Sequence, residues 1–197
     1  MVGRHNRKDQ ILEVATRLFA KHGYDQVSIK HISQECGITE PAVYRHFPSK
    51  AAIFTAVLDS LPARLKLDGL EEQLARESDI EPLLRKLTLH IIDFYVHNED
   101  CCRLLFYSTL DHHEKAQKVF DAIRGRYVRL LVTQLDRLYR AKRIVKKNNV
   151  ITARCFVGMV FECAMGQTVF RGMQGKVFKA EDVVNNNVPI YARGLAR

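Results

Sequence analysis

Between Ser28 and Lys50 the chain reads SIKHISQECGITEPAVYRHFPSK, and its punctuation permits few local folds. Gly37 stands where a helix must stop, because glycine takes the left-handed conformation that closes a helix end at little cost. Thr39 then fits an N-cap, its side-chain oxygen accepting from unpaired amides of the next helix. Pro41 falls in the first turn, where its missing N–H does no harm. Ile29 and Ile32 share one side of the first helix. Val43 packs inward from the second, while Glu40, Tyr44 and Arg45 face out. Two short helices across a tight turn are helix-turn-helix grammar: one braces, and the other offers its N-terminal residues to a DNA major groove.

The flanking sequence completes a small helical unit. Ile11, Val14, Ala15, Leu18 and Phe19 recur at three-and-four spacing, which predicts an amphipathic helix capped by Asn6 and ended at Gly23. Tyr24 and Val27 plug its base. After Phe47, Pro48-Ser49 marks a new start: Ser49 caps, Lys50 projects from the first turn, and Ile53, Phe54, Val57, Leu58 and Leu61 form the buried stripe. Pro62 ends or kinks that helix. Arg4, Arg7 and Lys8 lie in reach of phosphates or a minor groove, or form a frayed charged terminus.

These residues carry a specific resemblance. Ser28-Ile29, Ile32-Ser33, Cys36-Gly37-Ile38-Thr39, Val43-Tyr44-Arg45-His46-Phe47 and Ser49-Lys50, with Leu18-Phe19 and Gly23-Tyr24 upstream, resemble the tetracycline-repressor (TetR) family signature. The resemblance implies an all-α protein with a DNA-binding domain over 1–64 (helix-turn-helix 28–47) and a helical effector-binding and dimerisation domain over 65–197. It implies a cytoplasmic homodimer on a double-stranded DNA operator, repressing by default and released by a small molecule. In this reading Ser28, Thr39, Tyr44, His46 and Lys50 hold the DNA backbone. Glu40, Pro41, Ala42 and Arg45 lie where base edges are met; Glu40 can accept from a cytosine amino group and Ala42 can touch a thymine methyl.

The remainder reads as helices without strand alternation. Residues 64–78, with Gly69 and a charged EEQLARES run, read as a loop plus a helical turn. A helix capped by Ser78 or Asp79 follows, with Leu83, Leu84, Leu87, Ile91, Phe94 and Tyr95 inward and Asn98 at its end. CCRLLFYSTL reads as a short connecting segment, then a long helix runs from about Asp111 to Arg140. The basic loop 140–149 reads as solvated. Val150 to about Arg171 is strongly apolar. A last helix, 181–195, contains Pro189, which should kink it.

The 31 lysines and arginines exceed the 22 acidic residues, a net charge of +9 that suits a polyanionic partner. Five cysteines with no C-x-x-C pair argue against a zinc ribbon or a disulfide framework and for reduced thiols in the cytoplasm. No leader or membrane span is expected. His90, Asp93 and His97 share a face at metal-ligand spacing, near His112-His113-Glu114, but a solvated face gives the same pattern, and no metal is expected. Cys101-Cys102 reads as packing thiols rather than a sensor. Candidate effector contacts are Phe94, Phe106, Tyr107, Tyr127, Phe156, Met159 and Cys163, which suit an apolar or aromatic molecule. Cys155, Gly158, Glu162 and Gly166 form a stripe where a second subunit's helix is expected. With no G-x-S-x-G, phosphate loop or H-E-x-x-H, neither catalytic residues nor a cofactor are expected. Two other regulators fit the same residues: an architectural DNA binder without effector, and a thiol- or metal-responsive one.

Overall fold

The computed structural model describes residues 6–171, 175 and 177–197, and every regular element among them is a helix. Arg4 lies outside the described residues. The chain divides into two compact units: one holds the chain up to Arg64 together with Asp100–Phe120, the other Leu65–Glu99 and Asp121–Arg197. Sequence order alone suggested a single break near residue 64; here 100–120 packs with the N-terminal helices.

The first unit is built from α1 (Arg7–His22), α2 (Ile29–Glu35), α3 (Glu40–Tyr44) and α4 (Lys50–Ser60), and a 3-10 turn at Pro62–Leu65 spans the boundary after Arg64. The Asn6 side chain caps α1 by accepting from the Lys8 amide at 3.2 Å. Ile11, Val14, Ala15 and Phe19 are buried where α1 packs on α2 and α4, and Leu18 only partly so. Burying an Ile, Val or Phe side chain in this way contributes about 1.5–3 kcal/mol, and an Ala less. The Ser49 hydroxyl oxygen caps α4 by accepting from the Ala52 amide at 3.1 Å. Phe54 stands edge-on to Phe19 and Tyr24, with centroids 5.9 and 4.9 Å away. The 100–120 segment comprises all but the first residue of α7 (Glu99–Leu110) and the start of α8 (Glu114–Arg140). His113 stacks edge-on against Phe54 at 4.9 Å, Lys115 pairs with Asp59 at 2.6 Å, and the buried Cys101 meets the Thr16 hydroxyl.

The second unit centres on α6 (Ile80–His97), which packs against α5 (Leu67–Ala75), α9 (Asn149–Gln167) and α10 (Ala180–Leu195). The inward face of α6 is the one the periodicity predicts: Leu83, Leu84, Leu87, Ile91, Phe94 and Tyr95 are all buried. Residues 67–75 are a full helix rather than a loop with one turn. Leu67, Leu70 and Leu74 bury its inner stripe, and the Arg137 guanidinium donates to the Leu74 and Glu77 carbonyls at 3.1 and 2.6 Å, closing its C-terminal end. The segment after Asn98 is likewise helical. The basic loop is pinned to the fold: Arg143 pairs with Asp79 at 2.7 Å, and the Val145 amide donates to the Leu195 carbonyl at 2.8 Å. Pro189 sits inside α10. By length and composition α9 is long and apolar enough to cross a membrane, but its inner stripe of Ala153, Phe156, Val157, Val160 and Ala164 is buried in this unit.

Candidate nucleic-acid interface

The turn between α2 and α3 is fixed by backbone chemistry. The Gly37 amide donates to the Gln34 carbonyl and the Ile38 amide to the Ser33 carbonyl, both at 3.0 Å. This pair of bonds is the Schellman closure, which requires a left-handed residue at its centre, and Gly37 has φ +64°. At the other end of α2, the Ser28 hydroxyl oxygen accepts from the His31 amide at 3.2 Å and the Ser28 amide donates to His31 Nδ1 at 3.3 Å. That reciprocal capping box uses a histidine where Glu or Gln is usual.

The turn aims α3 outward. Val43 is fully buried, whereas Tyr44 keeps 50% of its surface exposed. Pro41, Arg45, His46 and Thr39 are also exposed; Glu40 and Ala42 are half-buried. Thr39 occupies the N-cap position as expected but makes no side-chain cap hydrogen bond. Pro41, second in the helix, has no amide to give, and the Ala42 amide goes to the Thr39 carbonyl at 3.0 Å. The Thr39 hydroxyl is thus left facing out.

Lys50 has partners within the chain. Its ammonium donates to the Tyr24 carbonyl at 2.9 Å and the Asp25 carbonyl at 3.5 Å, and lies 4.2 Å from the Tyr24 ring centroid. It fastens the start of α4 to the turn after α1, which leaves one ammonium N–H for a phosphate. Nearby, the Lys8 ammonium lies 5.6 Å from the Phe47 centroid, and Arg7 Nη1 donates to Gln10 Oε1 at 2.5 Å.

The residues expected to line an effector pocket are divided between the two units. Phe106 and Tyr107 belong to the first unit, the other five to the second. Tyr127 is buried and its hydroxyl meets His90 Nδ1 at 3.1 Å. Phe156 packs edge-on to Tyr191 at 5.0 Å, and Phe94 packs on Tyr95 at 5.3 Å. Met159 Sδ accepts from the Asn187 side-chain Nδ2 at 3.0 Å. Burial raises the Cys163 thiol pKa. Phe94, Tyr127 and Phe156 are thus buried, Phe106, Met159 and Cys163 are half-buried, and Tyr107 is exposed.

The small-residue stripe of α9 is only partly exposed. Cys155 and Glu162 are exposed, but Gly166 is buried in its own unit. A Cβ on Gly158 would stand 3.3 Å from Arg124 Nη2 of the same chain, so this glycine makes room for an intrachain arginine. Asp93 pairs with His97 at 2.9 Å, and among the described residues no cluster of three or more His, Cys, Asp or Glu side chains has metal-holding geometry. Cys101 and Cys102 are buried, and burial raises the Cys101 pKa, which makes it a poor nucleophile.

An exposed, proline-started helix held by a Schellman turn against two bracing helices defines a DNA-binding regulator of the helix-turn-helix class. Comparison with known proteins narrows this. Residues 11–57 match the bacterial regulatory proteins of the tetR family. The nucleoid occlusion factor SlmA of Citrobacter koseri is 30% identical over 149 residues, covering 72% of this chain and 70% of SlmA. The uncharacterized HTH-type transcriptional regulator YerO of Bacillus subtilis is 27% identical over 143 residues, covering 72% of this chain; the match spans 47% of YerO, about half its length. The structure of AibR in complex with isovaleryl coenzyme A and operator DNA superposes with a TM-score of 0.65 at 19% identity, covering 94% of this chain and 97% of AibR. The chain belongs to the TetR family and is a DNA-binding transcriptional regulator.

Proposed function

We propose that the chain acts as a cytoplasmic homodimeric repressor that reads a palindromic operator with α3 and leaves it when a small molecule occupies its second unit. The observation that carries the DNA-reading part is the exposure pattern of α3. Only Val43 is fully buried, while Pro41, Tyr44, Arg45 and His46 stand in solvent, a surface whose residues contribute little to folding. Ser28, Thr39, Tyr44, His46 and the remaining N–H of Lys50 position the backbone; Glu40, Pro41, Ala42 and Arg45 meet base edges. Two heads are needed because one covers too few base pairs for specificity. Ile151 on α9 and Ile190 on α10, 59% and 64% exposed, are large apolar side chains left uncovered in the single chain. A subunit seam over them, beside Cys155 and Glu162, would bury them. AibR, which has the same fold, binds both an organic ligand and its operator. The reading is one of binding, with no catalytic role.

A second reading, a DNA-binding factor without an effector, draws on the likeness to SlmA, which is named a nucleoid occlusion factor rather than a transcriptional regulator. One experiment separates them. Selection from random duplexes should yield a palindrome with half-sites about 34–36 Å apart, or a multiple. Arg45→Ala should relax one position per half-site by about 1–3 kcal/mol. A selection that enriches no sequence would remove the operator-reading role. Effector affinity is then measured with and without operator: linkage requires that DNA weaken the ligand by the factor by which the ligand weakens DNA. Equal affinities would leave the second reading standing.

A further inference from the structure

On the second unit, α5, α6, the last turn of α9 and the start of α10 surround an open groove of about 710 Å³. That is within the roughly 300–1,000 Å³ range of small-molecule sites. Leu70, Leu89, Ile92 and Val96 give it an apolar lining. The polar groups around it are Lys66, Lys86, Lys179, His90, Asp93, Glu181, Gln73 and Gln167. Several are already matched: Lys86 pairs with Glu77, and Asp93 with His97. Among the described residues, Lys66, Lys179 and Glu181 have no ion-pair partner, so the uncommitted charge is two ammonium groups against one carboxylate.

Gln167 adds an independent observation. Its Nε2 is buried and has no hydrogen-bond partner. A buried donor without an acceptor is costly, and native structures leave few of them. Rotation about the terminal side-chain torsions would carry this N–H₂ into the groove that Gln167 lines, where it would be available to an acceptor on a bound molecule.

We propose that this groove binds an amphipathic monoanion, an apolar chain or ring ending in a carboxylate. The apolar part lies on Leu70, Leu89, Ile92 and Val96. The carboxylate accepts from the Gln167 amide and sits between the ammonium groups of Lys66 and Lys179. A carboxylate uses both donors and charge, whereas an alcohol of the same length uses only the donor. This inference rests on the effector-responsive reading above and gives that effector a place and a chemistry; aromatic content, which the sequence suggested, is not required.

The test uses the full chain and two probes, decanoate below its micelle concentration and 1-decanol, titrated by calorimetry. Decanoate should bind at least about tenfold tighter than decanol, the gain expected of a charge-assisted contact. Lys66→Met with Lys179→Met should abolish that preference while leaving decanol binding. Leu89→Glu, on an exposed part of the lining, should abolish both. Gln167→Leu should weaken decanoate about tenfold, and hydrogen exchange on the same variant confirms that the fold is intact. Equal affinity for the two probes, or binding indifferent to Leu89→Glu and to the lysine pair, would overturn the proposal. Operator affinity is measured separately. If decanoate binds as described but leaves DNA binding unchanged, the groove stands and the release mechanism falls. If decanoate does not bind while another compound releases the operator, the groove assignment falls and the release mechanism stands.

Discussion

Replacing Gly37 by alanine isolates the energy of one backbone conformation. At φ +64° the residue is left-handed, which costs an L-residue with a Cβ about 1–2 kcal/mol. Nothing lies within 4 Å of where that Cβ would stand, so no steric term is added. Alanine also restricts the unfolded chain, which offsets about 0.4–1 kcal/mol. The net expectation is a loss of about 1 kcal/mol. Asparagine tolerates the left-handed region, so Gly37→Asn should lose less than half as much. Gly23 is the internal contrast. Its φ of 80° with ψ of 157° is a region that only glycine populates, so Asn should be as harmful there as Ala. Urea denaturation of the four variants measures the differences as shifts in midpoint at constant slope. Exchange of the Gly37 and Ile38 amides should accelerate in Gly37→Ala, since these donors close α2. Equal midpoints for Gly37→Ala and the parent, with both amides still protected, would refute the left-handed closure as a source of stability for the reading head.

Other outcomes follow from buried polar groups. Thr88 Oγ1 is buried with no partner, so Thr88→Val should raise stability by about 1 kcal/mol in the same urea assay; a loss would mean that the hydroxyl is hydrogen-bonded in solution. Burial holds the His90 pKa below its usual 6.5, with nearby Asp93 opposing in part. Between 6.5 and that lowered value the unfolded chain binds a proton that the folded chain refuses, so stability is full above this window and falls as the pH drops through it. His90→Gln should flatten that stretch of the stability–pH curve. A thiol reagent should label exposed Cys155 first, and buried Cys36, Cys101 and Cys102 only on unfolding. Labelling of Cys155 should slow as concentration drives assembly, and a rate independent of concentration would place it away from the subunit seam.

What the sequence made legible was local. The stop at Gly37, the caps at Asn6 and Ser49, and the inward face of α6 depend on neighbours within one or two turns; the Ser28 cap, closed by His31, was not read. Helix α5 was obscured because Gly69 and the EEQLARES charges surround its three leucines. The partners of Lys50 were not readable, because carbonyls 25 and 26 residues upstream leave no compositional mark. The aromatic count identified side chains that need burial but not what buries them: Phe94, Tyr127 and Phe156 are buried against side chains of their own unit. The groove eluded reading for the opposite reason: Lys66, Leu89, Gln167 and Lys179 come from four parts of the chain and share no period.

The return of residues 100–120 to the N-terminal unit has a consequence for how such proteins can be cut and joined. A fragment ending at Arg64 would carry every side chain proposed to face DNA, yet it would strip Phe54 of His113, Asp59 of Lys115 and Thr16 of Cys101. A head transplanted onto another sensor must therefore bring the α7–α8 junction with it, or meet an equivalent helical hairpin in its new host. Compatibility at a seam in the middle of the chain, not the linker at its start, decides which recombined regulators fold.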